Sequence, residues 1–103
     1  MGYAVKLQRG GGKLKSLSTF STTVPGGYIG TSGTVPGFKK IIMVYCTYVH
    51  SLIYRDVSEQ SASYKYWGYG SVKVEDFIDD TSFRINASGY SISTTWPYFI
   101  LGY

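Results

Sequence analysis

The chain reads as all-β, and three observations say so. Aromatic residues make up 17% of its 103 residues, and Tyr alone supplies 11. Tyr, Val, Ile, Thr and Phe suit a pleated, half-buried surface. Thirteen Gly and many Ser and Thr supply turns between short apolar runs. No window rich in Ala, Leu, Glu and Lys competes for a helix. One domain spanning 1–103 is the expectation at this length, with a modest core, because so short a chain buries only about two-thirds of its unfolded surface.

Each element follows from local pattern. "YAVKLQ" (3–8) alternates Tyr3, Val5 and Leu7 against Ala4, Lys6 and Gln8, so it is a strand with one apolar face. "GGG" (10–12) interrupts it, and "KLKSLSTF" (13–20) is a weaker strand. Residues 21–38 are turn-rich. "TVPG" occurs there twice, at 23–26 and 34–37, and Pro before Gly marks a type II turn. The two turns flank a short strand around Tyr28 and Ile29. The Gly/Ser/Thr/Pro-rich region 8–38 as a whole is expected as long loops or a mobile basic arm.

"KIIMVYCTYVHSLIY" (40–54) is the strongest apolar block, with apolar residues at both parities. It predicts a central strand buried on both faces, or one crossing from one packing layer to another. A break near His50–Ser51 leaves 52–57 as its hairpin partner. "SVKVEDFI" (71–78) alternates, and Asp79–Asp80 is a turn. "TSFRINASGYSIS" (81–93) predicts a hairpin, with Phe83, Ile85 and Ala87 on one face and Tyr90 and Ile92 returning after Gly89. Pro97 cannot donate to a ladder, so it marks where a last strand begins. A hairpin followed by "YFILGY" is an antiparallel meander. It places Tyr98 to Leu101 as core on both faces of a sheet.

Charge is unevenly placed. Residues 1–40 hold Lys6, Arg9, Lys13, Lys15, Lys39 and Lys40 and no acid, whereas the remainder holds four basic and six acidic residues. A basic, Gly-rich lead segment can touch nucleic acid or an acidic surface; a solvated arm is the commoner explanation. Cys46 is the only cysteine, so no intramolecular disulfide forms. No apolar stretch reaches the roughly 18 residues of a membrane-spanning helix, and no membrane insertion is expected.

Few residues suggest chemistry. His50 is the lone histidine, and Ser51 and Asp56 near it in sequence do not amount to a triad. Glu75, Asp76, Asp79 and Asp80 could gather around Ca²⁺, but turn acids in solvent account for them better. "GGG" before Lys13 lacks the context of a phosphate loop, and "NAS" (86–88) is only a formal glycosylation acceptor. No catalytic constellation, metal site or cofactor loop is expected, and the chain reads as a non-enzyme.

"SYKYWGYG" (63–70) is the most suggestive stretch. Alternation puts Tyr64 and Tyr66 on one face and Lys65, Trp67 and Tyr69 on the other, and so small a domain does not bury both. Rings with polar tips suit sugars, nucleobases or protein contacts. Tyr64, Tyr66, Trp67 and Tyr69, together with Trp96 at the corner before Pro97, are the candidate ligand-binding residues. The basic lead segment with these rings also allows a second reading, a small OB-like β-barrel binding single-stranded nucleic acid.

"SFRI", "NASGY" and "YFILG", with "IIMVYCTY" before them, resemble the C-terminal β-domains of bacteriophage tail fibres and receptor-binding tail proteins over residues 40–103. The resemblance implies a single-domain antiparallel β-sandwich of the H-type lectin-like or phage-tip kind. It implies a virion protein of the tail, made in a bacterial cytoplasm, that contacts host-surface carbohydrate or another virion protein, often as a trimer. The chain carries no coiled coil or β-helical shaft, which leaves room for a small accessory virion protein.

Overall fold

A computed structural model describes residues 13–55, 63–66 and 73–103, the second of these as backbone only. It is all-β, with no helix among the described residues, and so none long and apolar enough to cross a membrane. Eight strands run in chain order: β1 Lys15–Val24, β2 Ile29–Thr31, β3 Ile41–Cys46, β4 Ser51–Arg55, β5 Ser63–Tyr66, β6 Lys73–Phe77, β7 Phe83–Asn86 and β8 Thr94–Gly102. They form two antiparallel sheets, β1-β8-β3-β4-β5 and β2-β7-β6. The apolar faces of the two share one core, as in a β-sandwich. Val24, Val44, Cys46, Ile53, Trp96, Tyr98 and Ile100 come from the larger sheet, and Val74, Phe83 and Ile85 from the smaller. Burying each such side chain is worth about 1.5–3 kcal/mol.

Local pattern places several strands well. β3 and β4 pair from Cys46↔Ser51 to Met43↔Tyr54, so the hairpin breaks at His50 as the sequence suggests. The four-residue turn puts His50 at φ 58, the left-handed region. In β6 and β7 the expected inward residues Val74, Phe83 and Ile85 are fully buried. The second TVPG turns as expected, with Gly37 at φ 85 after Pro36. In the first the positive φ falls one residue later, at Gly27 (φ 82), and Tyr28 N–H reaches the Pro25 carbonyl at 3.4 Å. Expected strand 3–8 lies outside the described residues.

Three expectations are overturned. First, loops do not fill the stretch 8–38: the strands expected at 13–20 and around Tyr28 and Ile29 are present as β1 and β2, and β1 runs on through the expected turn region to Val24, paired along β8. A neighbouring strand satisfies this Ser/Thr-rich backbone despite its turn-like composition. Second, 81–103 is not a meander. β7 pairs with β2 and β6, while β8 lies in the other sheet between β1 and β3. Residues 87–93 cross between sheets, and Ile92, read as a strand residue, is 69% exposed.

Third, Pro97 sits inside β8 and does not begin it. Its position explains the tolerance. β3 pairs with β8 only as far as Cys46↔Tyr98, so at Thr94–Pro97 the strand has β1 alone as its partner. Locally β8 is an edge there, where proline is accepted. From Trp96 onward the strand alternates: Trp96, Tyr98 and Ile100 are buried, whereas Phe99 and Leu101 are half-buried on the outer face. Likewise in β3, Val44 and Cys46 face the core, and Met43 and Tyr45 lie half-buried on the outside. β8 is therefore not core on both faces, and in β3 only Ile41 and Ile42, at the irregularity where the strand starts, are buried side by side.

Candidate functional site: an aromatic cleft at one end of the sandwich

The β3–β4 turn, the 87–93 crossing and the first residues of β8 meet at one end of the molecule. Tyr48, Tyr90, Thr94, Thr95, Trp96 and Pro97 line an open cleft of about 110 Å³ there. Trp96 forms its floor and is only 1% exposed. Tyr90 meets the Trp96 ring edge to face, with centroids 5.0 Å apart, and Tyr48 lies over it at 5.4 Å. Tyr48 itself is 62% exposed. Ligand pockets for drug-sized molecules run to roughly 300–1,000 Å³. This cleft is smaller and has room for a single ring.

Its walls are set by backbone as well as by rings. Tyr90 is anchored through its N–H to the Ala87 carbonyl at 3.0 Å, and Gly27 N–H bonds the same oxygen at 3.0 Å. Gly26 packs against the Ile92 backbone so closely that a Cβ would collide with it. The crossing therefore holds its shape. The polar groups at the cleft are sparse. Thr95 Oγ1 shares a hydrogen bond with Thr23 Oγ1 at 2.5 Å, and Thr94 Oγ1 donates to the Ile92 carbonyl at a long 3.5 Å. Trp96 Nε1 is buried with no hydrogen-bond partner. Such an orphan donor is uncommon in a folded core and calls for a reason.

Of the candidate residues within the described stretches, Trp96 lies here. Tyr64 and Tyr66 stand in β5, opposite Tyr54 and Leu52 in the backbone register. β5 is three strand spacings from β8, about 14 Å, so these positions are not neighbours of Trp96. Trp67 and Tyr69 lie outside the described residues. Sequence reasoning missed Tyr48 and Tyr90. A usable signal existed for Tyr48, since an aromatic residue beside the break of a hairpin stands in a turn, where a ring is exposed.

The other candidates have structural duties. His50 Nδ1 lies 2.7 Å from the Tyr45 hydroxyl, and Ser51 Oγ accepts from Val74 N–H at 3.0 Å. Asp79 Oδ1 accepts from Thr81 N–H at 2.9 Å and Ser82 Oγ at 2.8 Å, and these bonds hold its carboxyl below the usual range. Asp76 meets Arg84 at 2.9 Å, and Glu75 accepts from Asn86 Nδ2 at 3.1 Å. Among the described residues no three His, Cys, Asp or Glu side chains converge as metal ligands do.

Among the described residues, Lys15, Lys39 and Lys40 gather at the other end. Lys15 pairs with Gly102 in register, and its Nζ lies 5.7 Å from the Phe38 ring centroid. Lys39 N–H donates to the Tyr103 carbonyl, and Tyr103 N–H to that of Lys40. Six residues of β8, about 20 Å, separate this end from Trp96. The fold and site define a small two-sheet all-β domain with an aromatic cleft that is uncharged among its described lining residues. Comparison with protein-family models, with curated proteins and with solved structures finds no match to the chain.

Proposed function

We propose that the domain is a non-enzymatic binding module of a phage virion, associated with the tail. Through the Tyr48–Tyr90–Trp96 cleft it contacts host-surface carbohydrate or another virion protein. The observation that carries the reading is the cleft itself: an exposed Tyr48 ring and a half-buried Tyr90 ring over a buried Trp, on a two-sheet frame, with no charged group among the described residues that line it. Rings with polar tips are the side chains that recognition surfaces favour. The phage assignment rests on the resemblance of "YFILG" and the strands before it to tail-protein β-domains.

Charge layout disfavours the nucleic-acid reading. Single-strand binders interleave cations with stacking rings along one groove. Here the Lys15, Lys39 and Lys40 end and the ring cluster lie at opposite ends of β8. Single-stranded DNA is expected to show no binding that falls steeply with salt. The proposal is tested by immunogold labelling of purified virions and by an array of host cell-wall glycans. Labelled tails are expected; absence from virions together with a silent array would overturn it.

A further inference from the structure

We infer that the cleft takes a prolyl ring of an extended, proline-containing peptide segment of a partner protein. The inference rests on the reading of this cleft as the contact site and selects a protein partner over a sugar.

Three features carry it. The first is size. A space of about 110 Å³ admits one ring, and the pyrrolidine of proline is a compact one.

The second is the lining. A sugar ring brings several hydroxyls, each needing a partner once water is excluded. Here Thr95 Oγ1 is already bonded to Thr23, and among the described lining residues Thr94 is the sole other side-chain hydroxyl beside the two tyrosine tips. Among the described residues, no carboxylate, amide or guanidinium lines the cleft. A prolyl ring is apolar and its nitrogen carries no hydrogen, so it asks for no acceptor.

The third is the orphan donor. Trp96 Nε1 has a hydrogen to give and nothing to receive it. Proline-rich segments adopt the polyproline II helix, which makes no internal hydrogen bonds and leaves its carbonyls free. A carbonyl beside the seated prolyl ring is the missing acceptor. Aromatic-lined grooves recognise such segments through this combination of ring packing and a carbonyl bond. Because Nε1 is covered in the free domain, the inference requires a rimming ring to move for the bond to form. Tyr48, largely in solvent on its four-residue turn, is the freer of the two.

The test is a titration of the isotope-labelled full chain with an acetylated, amidated deca-proline peptide, followed by the indole N–H resonances. There are two, and Trp67→Phe assigns that of Trp96. Trp96 is expected to shift saturably. Tyr48→Ala, which removes a mostly exposed ring, weakens binding about tenfold or more, the loss typical of a central aromatic contact. Ile78→Ala, an exposed apolar change away from the cleft, leaves it unaltered. An unmoved Trp96 resonance at millimolar peptide overturns the inference, as does a shift that survives Tyr48→Ala. Movement of the same resonance by a host cell-wall oligosaccharide alone overturns the prolyl assignment and leaves the virion reading standing. Peptide binding by a chain absent from virions does the reverse.

Discussion

Ser51 of β4 accepts a hydrogen bond from the backbone N–H of Val74 in β6 at 3.0 Å. The bond joins the two sheets through the core: Ser51 is 1% exposed and Val74 fully buried. Ser51→Ala leaves the Val74 N–H without a partner where no water reaches it. An orphaned buried donor costs about 1–3 kcal/mol. Chemical denaturation should report a loss in that range with an unchanged m-value. A loss below about 0.5 kcal/mol would mean that Val74 finds another acceptor.

Arg55 does similar work at the far end of the same strand. Its Nε donates to the Ile41 carbonyl at 2.8 Å and an Nη to that of Asp79 at 2.6 Å. The guanidinium also lies 4.0 Å from the Phe77 ring centroid. Lysine has a single ammonium and reproduces neither the fork nor the stacking. Arg55→Lys is expected to cost about 1–3 kcal/mol despite keeping the charge. Arg84→Lys, at an ion pair whose partners are both more than 40% exposed, should cost under about 1 kcal/mol. Equal losses from the two changes would contradict the difference in geometry.

What could be read from the sequence was face, and what could not was partner. Alternation identified Val74, Phe83 and Ile85 as inward, and the break at His50 located the β3–β4 hairpin. Alternation carries no information on which sheet a strand joins, so β7 and β8 looked like neighbours and are not. Tyr90 and Ile92 keep strand spacing, yet Tyr90 turns onto Trp96 and Ile92 faces solvent. The cleft was invisible for the same reason. Tyr48, Tyr90 and Trp96 are joined only by strand pairing and the crossing at 87–93. Trp96 alone could be singled out, because a Trp before a Pro stands out locally.

The last glycine of "YFILGY" has a packing reason. Gly102 lies between Lys15 of β1 and Ile41 of β3. A Cβ on it would run into the Lys40 carbonyl and come within 2.8 Å of Ile41 Cα and Phe38 Cδ1. Backbone cannot yield cheaply, and overpacking costs typically 1–3 kcal/mol. Gly102→Ala should therefore lower Tm by several degrees, about 4–8 °C per kcal/mol at this chain length. A Tm unchanged in Gly102→Ala would show that the β1–β8–β3 end opens without penalty.

Tyr98 carries the sharpest dependence on pH. It faces Cys46 across β8 and β3, it is 1% exposed, and its hydroxyl has no partner. Burial pushes its pKa far above the ordinary tyrosine value, with the nearby Cys46 adding to the effect, and burial raises the Cys46 thiol as well. A pKa raised on folding means that the native state keeps a proton which the unfolded chain gives up. The associated stability is fully present below the unfolded pKa, near 10 for Tyr, and is lost as pH climbs above it. The loss is on the order of 1 kcal/mol per pH unit for Tyr98, and Cys46 adds its own from about pH 9. Tyr98→Phe removes the unsatisfied hydroxyl and keeps the ring between Phe20 and Phe83. Near pH 7 it should match the parent or exceed it by up to about 1 kcal/mol, since removing an unpaired buried polar group is neutral or favourable. Between about pH 10 and 11 its stability should fall less steeply than the parent's. Denaturation midpoints measured across that interval decide the matter. Parallel slopes in parent and variant would mean that the Tyr98 hydroxyl ionises in the folded state as readily as in the unfolded one.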